Sequence, residues 1–202
     1  SISRAAGEDV DTYAITPSGA ADSNYTVSFV TADFTITAAD LTVTADADTK
    51  VYGATDPTFT YSITGFQGTD TEADLDTGVS ISRAAGEDVD TYTITPSGAA
   101  DSNYTVSFVT ADLSITAAPL TITADADTKV YGATDPALTY SITGFQGTDT
   151  EADLDTAVSI SRAAGEDVDT YAITPSAAAD SNYSVSFVTA DLSITAAPLT
   201  IT

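Results

Sequence analysis

Apolar residues alternate with threonine and serine in short runs along the whole chain. In the run LTVTA, Leu41 and Val43 fall on one face, and in NYTVSF the residues Tyr104, Val106 and Phe108 do the same. A two-residue period is typical of strands with one buried and one solvated face. Turn signals such as GATDPT and PSGAADS separate the runs. The pattern therefore predicts an all-β chain with one short helical turn, in TDTEADLD.

The strands recur with a fixed period. Ser1, Ser80 and Ser159 begin nearly identical segments, which gives a period of 79 residues. This period is longer than the roughly 20–50 residues of solenoid repeats, and a unit of this size can bury a small core of its own. Each unit has about seven strands, as an immunoglobulin-like sandwich does. We predict tandem immunoglobulin-like β-sandwich domains, arranged as an elongated rod.

The first and last strands of a unit place the domain boundaries. LTVTADADTKVYG supplies the first strands and DLSITAA the last. The link TAAPLT is short, and Pro119 and Pro198 stiffen it by fixing φ, which favours a semi-rigid array. We predict the C-terminal half of a repeat over residues 1–39, complete repeats over 40–118 and 119–197, and the start of the next repeat over 198–202.

The half-repeat over residues 1–39 contains only the later strands of a unit. Strands without neighbours expose unpaired N–H and C=O groups that readily pair with another chain. If this half-repeat is ordered, we expect it to pair with another chain or another copy. Because the sequence starts within a repeat, we also expect it to be a piece of a longer protein.

The charge balance excludes several partners. Thirty acidic residues stand against five basic ones, for a net charge of −25. Nucleic acids and anionic membrane surfaces are recognised through cations, so neither is an expected partner. The favoured interpretation is a solvated surface that keeps copies apart. A salt-rich habitat and weak binding of divalent cations are the alternatives.

The residue types that usually carry chemistry are missing. The chain has no His and no Cys, the usual acid–base groups, nucleophiles and metal ligands, and it has no glycine-rich phosphate loop. We therefore predict that it is not an enzyme. It also has no run of about 18 apolar residues, so we predict no membrane insertion.

A tyrosine follows the motif Asp-Val-Asp-Thr in every repeat. It is Tyr13, Tyr92 or Tyr171. The motif resembles the tyrosine corner of Greek-key sandwiches, where the hydroxyl bonds to nearby backbone. We predict a structural role for these three residues.

Paired carboxylates lie close to the predicted domain junctions. Asp46 and Asp48 recur as Asp125 and Asp127. Carboxylates at a junction could hold Ca²⁺ and stiffen the array, so these four are candidate calcium ligands. The acidic loop GTDTEADLDTG imitates the start of an EF-hand, but it lacks the glycine and the bidentate glutamate of that loop. A calcium site of another kind remains an alternative for this loop, and a solvated acidic loop is the favoured interpretation.

Each complete repeat has one lysine and one asparagine. They are Lys50 with Asn103, and Lys129 with Asn182. Some surface-protein sandwiches join such a pair in an isopeptide bond, so these are candidate isopeptide residues. The favoured alternative is that the lysines cap a strand end or pair with aspartate, and that the asparagines form turns.

The repeat as a whole resembles a known family. LTVTADADTKVYGATDPTFTYSITGF followed by DVDTYTITPSGAADSNYTVSFVTADLSITAA is similar to the MBG and YDG repeat domains of bacterial surface proteins, and the resemblance covers the whole chain. It implies immunoglobulin-like domains in tandem within a large secreted or cell-surface adhesin, and hence an extracellular location.

Two functions fit these observations. The first is a structural spacer that gives reach to an adhesin or an extracellular fibre, with neighbouring repeats of the same protein as partners, because near-identical units need no unique site. The alternative is a multivalent module in which weak contacts to a host or environmental glycan, or to mucin, add up over many copies.

Overall fold

The computed structural model describes residues 1–201, and nearly all of its regular elements are strands. The strands are β1 (Ile2–Arg4), β2 (Thr12–Pro17), β3 (Ala32–Thr35), β4 (Ala39–Ala45), β5 (Asp48–Val51), β6 (Tyr61–Thr64), β7 (Ser80–Arg83), β8 (Thr91–Ser97), β9 (Tyr104–Val109), β10 (Ala111–Thr116), β11 (Ala118–Ala124), β12 (Asp127–Val130), β13 (Tyr140–Thr143), β14 (Ser159–Arg162), β15 (Thr170–Ser176), β16 (Tyr183–Val188) and β17 (Ala190–Thr195). Single 3₁₀ turns lie at Glu72–Asp74 and Glu151–Asp153, in the two copies of TDTEADLD. The predicted all-β fold is confirmed, and each complete repeat has seven strands, β4–β10 and β11–β17. Within residues 1–201, no helix is long and apolar enough to cross a membrane.

The strands of the third repeat form two sheets. One has the order β13-β11-β16 and the other the order β12-β17-β15-β14. Strand β11 pairs antiparallel with β13 and parallel with β16, and β12 pairs parallel with β17. The middle repeat has the same three-stranded order, β6-β4-β9, with the same directions. A parallel pair requires a long crossover between its strands, and here the intervening strands of the repeat supply it.

This grouping differs from that of the constant immunoglobulin domain, although the two-sheet, seven-stranded architecture is as predicted. Constant domains place strands 1, 2, 4 and 5 in one sheet and 3, 6 and 7 in the other. The third repeat places strands 1, 3 and 6 together, with its first strand in the centre. Strand β11 pairs on both of its edges, with β13 and β16, and its inward residues Ala118, Leu120, Ile122 and Ala124 are all buried.

The core follows the alternation seen in the sequence. Ala118, Leu120 and Tyr183 form one buried cluster, next to Phe145 and Leu154. Ala124, Ile173 and Leu192 form another, next to Leu138 and Ile160. Strand β11 therefore contributes to both clusters of the third repeat.

Contacts between residues divide the chain into two compact units, which are not the 79-residue repeats and are called the first and second unit below. The first comprises Ser1–Asp48, Thr58–Ala84 and Thr93–Asp112, and the second comprises Thr49–Pro57, Ala85–Tyr92 and the residues from Leu113 onward. Each unit contains segments of two successive repeats. The domain boundaries predicted from the sequence are a different division, by covalent repeat, and they stay a prediction.

In the half-repeat, β1, β2 and β3 form an antiparallel three-stranded sheet. The segment at residues 24–30 is not a strand, although its sequence, NYTVSFV, is identical to residues 103–109, which include β9. Tyr25 is 76% exposed, whereas its counterpart Tyr104 is 8% exposed. Strand β9 pairs with β4, and residues 1–38 contain no counterpart of β4. The predicted pairing of the half-repeat with another copy stays a prediction.

Candidate functional site

The feature of this chain that most resembles a built site is the junction between the middle and third repeats, which lies wholly within the second unit. The middle repeat contributes the residues after β5 and the loop before β8. The third repeat contributes the loop after β13 and the turn before β16. We use the name repeat junction for Tyr52, Gly53, Asp88, Val89, Gln146, Asp149, Asn182 and Tyr183.

Asn182 makes two side-chain hydrogen bonds across the repeat junction and two backbone hydrogen bonds within the third repeat. Its side-chain oxygen accepts from the backbone N–H of Val89 at 2.8 Å, and its amide nitrogen donates to Asp88 Oδ1 at 3.2 Å. Its backbone carbonyl accepts from the N–H of Ala118 at 3.0 Å. The turn itself is fixed by Asp180, whose carboxylate accepts from the N–H of Asn182 at 2.7 Å. A carboxamide carries an acceptor oxygen and a donor nitrogen on separate atoms, which suits these two side-chain contacts.

Tyr52 and Tyr183 share one carboxylate at the repeat junction. Their hydroxyls donate to Asp149 Oδ2 at 2.9 and 2.6 Å. Their rings meet edge to face, with centroids 5.4 Å apart. The hydrogen bond to Asp149, together with burial, raises the pKa of Tyr52 to about 12. Burial, with the hydrogen bond to Asp149, raises the pKa of Tyr183 to about 12. Both hydroxyls are therefore donors at any physiological pH.

The first unit contains the same asparagine contact between the half-repeat and the middle repeat. The side-chain oxygen of Asn103 accepts from the N–H of Val10 at 2.8 Å, and its amide nitrogen donates to Asp9 Oδ1 at 3.2 Å. Its carbonyl accepts from the N–H of Ala39 at 3.0 Å. The hydroxyl of Tyr104 donates to Asp70 at 2.6 Å. Identical residues thus make identical contacts at two successive repeat boundaries.

The three tyrosines of the Asp-Val-Asp-Thr-Tyr motif bond to backbone four residues upstream. The hydroxyls of Tyr13, Tyr92 and Tyr171 donate to the carbonyls of Asp9, Asp88 and Asp167 at 2.9, 3.1 and 3.1 Å. In the second unit, Tyr92 therefore holds the backbone beside Val89, the residue that donates to Asn182. The tyrosine-corner interpretation of these residues stays a prediction.

A glycine makes room for each of these rings. Gly165 has φ +148°, and a Cβ there would lie 2.0 Å from Cε1 of Tyr171. The same relationship holds between Gly7 and Tyr13, and between Gly86 and Tyr92. The glycine of the AAGEDVDTY motif is thus required by the tyrosine that ends it.

The two lysines are buried and paired with carboxylates. Lys129 Nζ donates to Asp135 and Glu166, each at 2.5 Å. These bonds raise the pKa of Lys129, and the bonds from Arg162 and Lys129 lower the pKa of Asp135 to about 2. Burial alone would lower the pKa of Lys50, but hydrogen bonds to Asp56 and Glu87, at 2.7 and 2.5 Å, outweigh it and raise the pKa.

The lysine and the asparagine of each predicted isopeptide pair contact different residues. Within the second unit, Lys129 contacts carboxylates, whereas the side chain of Asn182 contacts Asp88 and Val89. Lys50 belongs to the second unit and Asn103 to the first, each with the partners given above. The bond stays a prediction, and intact mass tests it because each bond would release one ammonia.

The four candidate calcium ligands lie at the ends of strands. Asp46 and Asp125 accept from the hydroxyls of Thr60 and Thr139, each at 2.7 Å. Asp48 begins β5 and Asp127 begins β12. Over residues 1–201, no group of three or more acidic residues is arranged to hold a metal ion. Calcium binding stays a prediction, tested by thermal melting with and without the ion.

The space at the repeat junction is small. One cavity, of about 140 Å³, is lined by Asp180, Asn182 and Tyr183, among others. A second, of about 270 Å³, is lined by Tyr52, Gly53 and Gln146, among others. Small-molecule sites usually enclose about 300–1,000 Å³, so both cavities are below this range.

Sequence reasoning did not predict the repeat junction. It placed Tyr104 on one face of a strand and assigned the asparagines to turns or isopeptide bonds. The available signal was the return of KVYG and of Asn-Tyr in both complete repeats. The structure places the KVYG motif of one repeat against the Asn-Tyr motif of the next, as Tyr52 and Tyr183 show.

The comparison with protein families agrees with this repeating structure. The family model of the MBG domain (YGX type) matches the chain three times, over residues 1–35, 41–114 and 120–193. No curated protein matches the chain. These matches cover most of the sequence, and they confirm the resemblance noted from its motifs. The chain belongs to the MBG domain family of the YGX type.

Proposed function

We propose that the chain is a spacer segment of a large secreted or cell-surface adhesin, or of an extracellular fibre, in which repeats hold one another in a fixed orientation to give reach. MBG repeats are typical modules of extracellular surface proteins, and theirs is not a family of enzymes. The spacer role goes beyond that membership. Its partners are the neighbouring repeats of the same protein.

The observation that carries the proposal is the recurrence of one asparagine contact. Asn103 and Asn182 each bond to the Asp-Val pair of the preceding repeat, with the same two distances. A spacer needs such a contact at every boundary between repeats, because a flexible hinge at one boundary would shorten the average extension of the whole array. A single binding site would need it at none.

The charge supports the same role. A net charge of −25 keeps segments of one chain, and separate chains, from collapsing onto each other. The few cations are used internally, since Lys129 and Arg162 both pair with Asp135.

Multivalent glycan binding is the alternative, and one observation favours it. The same aromatic ring is exposed within both complete repeats: Phe108 is 39% exposed and Phe187 is 40% exposed. An exposed aromatic ring is a surface on which a sugar can stack. A glycan array probed with the unaltered chain and with the double variant Phe108→Ala with Phe187→Ala decides this: a signal that the variant loses supports the alternative.

The spacer proposal is tested by the spread of distances across the repeat junction. The chain has no cysteine, so Thr55→Cys and Ala164→Cys can carry two spin labels, one in each repeat, for pulsed electron resonance. We expect a narrow distance distribution that broadens in Asn182→Ala. Asn24→Ala, at an exposed position, is the control and should change nothing. A broad distribution in the unaltered chain would refute the fixed orientation.

A further inference from the structure

Strand β16 has an outer edge that its own sequence does not protect. It ends the order β13-β11-β16, so within residues 1–201 no strand pairs with its outer side. Its sequence, YSVSFV, contains no charged residue, no proline and no glycine. Natural sheets protect long edges with charges, proline or bulges, because an unprotected edge pairs readily with other strands. An uncharged six-residue segment of high β propensity is the type of strand that pairs with copies of itself.

The other three sheet edges of the third repeat are shorter, and two of them are charged. Strands β12, β13 and β14 have four residues each. Strand β12 contains Asp127 and Lys129, and β14 ends at Arg162. Short length and charge both discourage pairing at an edge. The difference identifies β16 as the edge of this repeat that is open to a partner.

The same edge is open in the middle repeat, where β9 ends the order β6-β4-β9. Phe108 and Val109 are 39% and 46% exposed, and their counterparts Phe187 and Val188 are 40% and 45% exposed. A complete repeat follows β9, and a complete repeat precedes β16. Because the exposures agree in these two different surroundings, the open edge is a property of each complete repeat.

The free backbone groups of this edge belong to Val185 and Phe187. The carbonyl of Asn182 accepts a hydrogen bond from β11, with which β16 pairs. Successive residues of a strand direct their N–H and C=O groups to opposite edges, so Ser184 and Ser186 face β11. The groups of Val185 and Phe187 therefore point away from the sheet. We use the name open edge for residues 185–187 of β16 and for the equivalent residues 106–108 of β9.

We propose that the open edge pairs with the same edge of a second copy of this chain, as antiparallel strands related by a two-fold axis. The axis lies at Ser186 where two β16 strands meet, and at Ser107 where two β9 strands meet. Val185 of one copy then exchanges two hydrogen bonds with Phe187 of the other copy, and the symmetry-related pair does the same. All four free groups of each strand are satisfied, and each exposed phenyl ring lies beside a valine.

Charge favours a second copy over a cationic partner at this position. The chain has a net charge of −25, but β16 itself has none, so a cationic strand would find no carboxylate within the edge. Two identical edges match instead, with serine opposite serine and valine opposite phenylalanine. The acidic surface elsewhere opposes contact and limits association to the uncharged edge. The pairing uses no residue of the repeat junction, so it does not depend on the spacer function.

Sedimentation of the unaltered chain in about 0.15 M NaCl tests the pairing, because this salt screens charges beyond about 8 Å. We expect the average mass to rise with protein concentration. Ser107→Lys with Ser186→Lys should remain monomeric, because like charges would lie opposite each other at each axis. Ser107→Glu with Ser186→Glu should remain monomeric for the same reason. An equimolar mixture of the two variants should associate again, which a folding defect could not produce.

The opposite edge of the same sheets provides the control. Thr64 and Thr143 are exposed on β6 and β13, so Thr64→Lys with Thr143→Lys adds the same charges there and should associate as the unaltered chain does. Amide hydrogen exchange is a second measurement: the N–H of Phe187 should become protected as the concentration rises. An unaltered chain that stays monomeric, lysine or glutamate variants that associate alone, or a mixture that does not associate would each overturn the proposal. The distances across the repeat junction are measured separately, so such a result would leave the spacer function standing.

Discussion

The side-chain oxygen of Asn182 accepts a hydrogen bond from the backbone N–H of Val89 at 2.8 Å, across 93 positions of sequence. This bond satisfies a backbone donor of the middle repeat with a side chain of the third. A fully buried donor left without a partner costs about 1–3 kcal/mol. Val89 is half-buried, so removing the acceptor of its N–H should cost an amount near the lower end of this range. The same bond between Asn103 and Val10 shows that it belongs to the repeat and not to one boundary.

Asn182→Asp should destabilise the second unit. The substitution keeps the acceptor for Val89 but removes the donor to Asp88, and it places a second carboxylate where two oxygens would repel. We expect a loss of about 1–3 kcal/mol in urea unfolding at neutral pH. Asn24→Asp, at an exposed position, is the matched control. Equal losses in both variants would contradict a role for the junction contact.

Tyr52→Phe separates the contribution of the Tyr52 hydroxyl to stability from that of its ring. The phenyl ring keeps its edge-to-face contact with Tyr183, but the hydrogen bond to Asp149 is lost. We expect a loss of about 0.5–1.5 kcal/mol in the free energy of unfolding. Tyr131→Phe removes a hydroxyl from the exposed counterpart and should have no effect. A null result for Tyr52→Phe would mean that water replaces the bond without cost.

Alkali should weaken the repeat junction. The pKa values of Tyr52 and Tyr183 are raised to about 12, whereas an unfolded tyrosine ionises near about 10. A folded pKa above the unfolded one gives stability that is complete below about pH 10 and is lost as the pH rises to about 12. The melting temperature of the chain should therefore fall through this window, and the difference from Tyr52→Phe should shrink. A difference that stays constant from pH 9 to 12 would refute the linkage.

Acid should remove the stabilisation provided by Asp135. Arg162 and Lys129 lower the pKa of its carboxyl to about 2, below the value of about 3.9 for an unfolded aspartate. A lowered folded pKa gives stability that is present above about pH 4 and is lost as the pH falls towards 2. Asp135→Asn should therefore melt at a lower temperature than the unaltered chain at pH 7, and this difference should shrink markedly by pH 2, where about half of the folded carboxyl groups are still ionised. A difference in melting temperature that is as large at pH 2 as at pH 7 would point to packing and not to charge.

The sequence predicted the strands because their alternation is local, and Leu120 and Ile122 are buried as their spacing requires. It could not predict that β11 pairs parallel with β16, since a two-residue period is the same in parallel and antiparallel pairs. Residues 24–30 and 103–109 show the other limit. They are identical in sequence, yet only the second copy includes a strand, because a strand needs a neighbour as well as a pattern.

The repeat junction was beyond prediction for a similar reason. The bond between Asn182 and Val89 joins two loops that are distant in sequence. The sequence of neither loop indicates which other loop it contacts. The tyrosine of each Asp-Val-Asp-Thr-Tyr motif was easier to interpret, since its acceptor lies only four residues away.

Gly165→Ala tests whether the ring of Tyr171 requires a glycine at position 165. The new Cβ would lie 2.0 Å from the ring of Tyr171, and φ at this position is +148°, so either the ring or the backbone must move. Moving the ring breaks the hydrogen bond from the Tyr171 hydroxyl to the carbonyl of Asp167. We expect a loss of about 1–3 kcal/mol in urea unfolding, from strain and overpacking.

Gly147→Ala is the matched control: its φ of +56° is also positive, but its Cβ would meet nothing within 4 Å. The double variant Gly165→Ala with Tyr171→Ala should recover the part of the loss that comes from the clash. If Gly165→Ala costs no more than Gly147→Ala, the ring does not require the glycine, and backbone conformation alone accounts for its place in the motif.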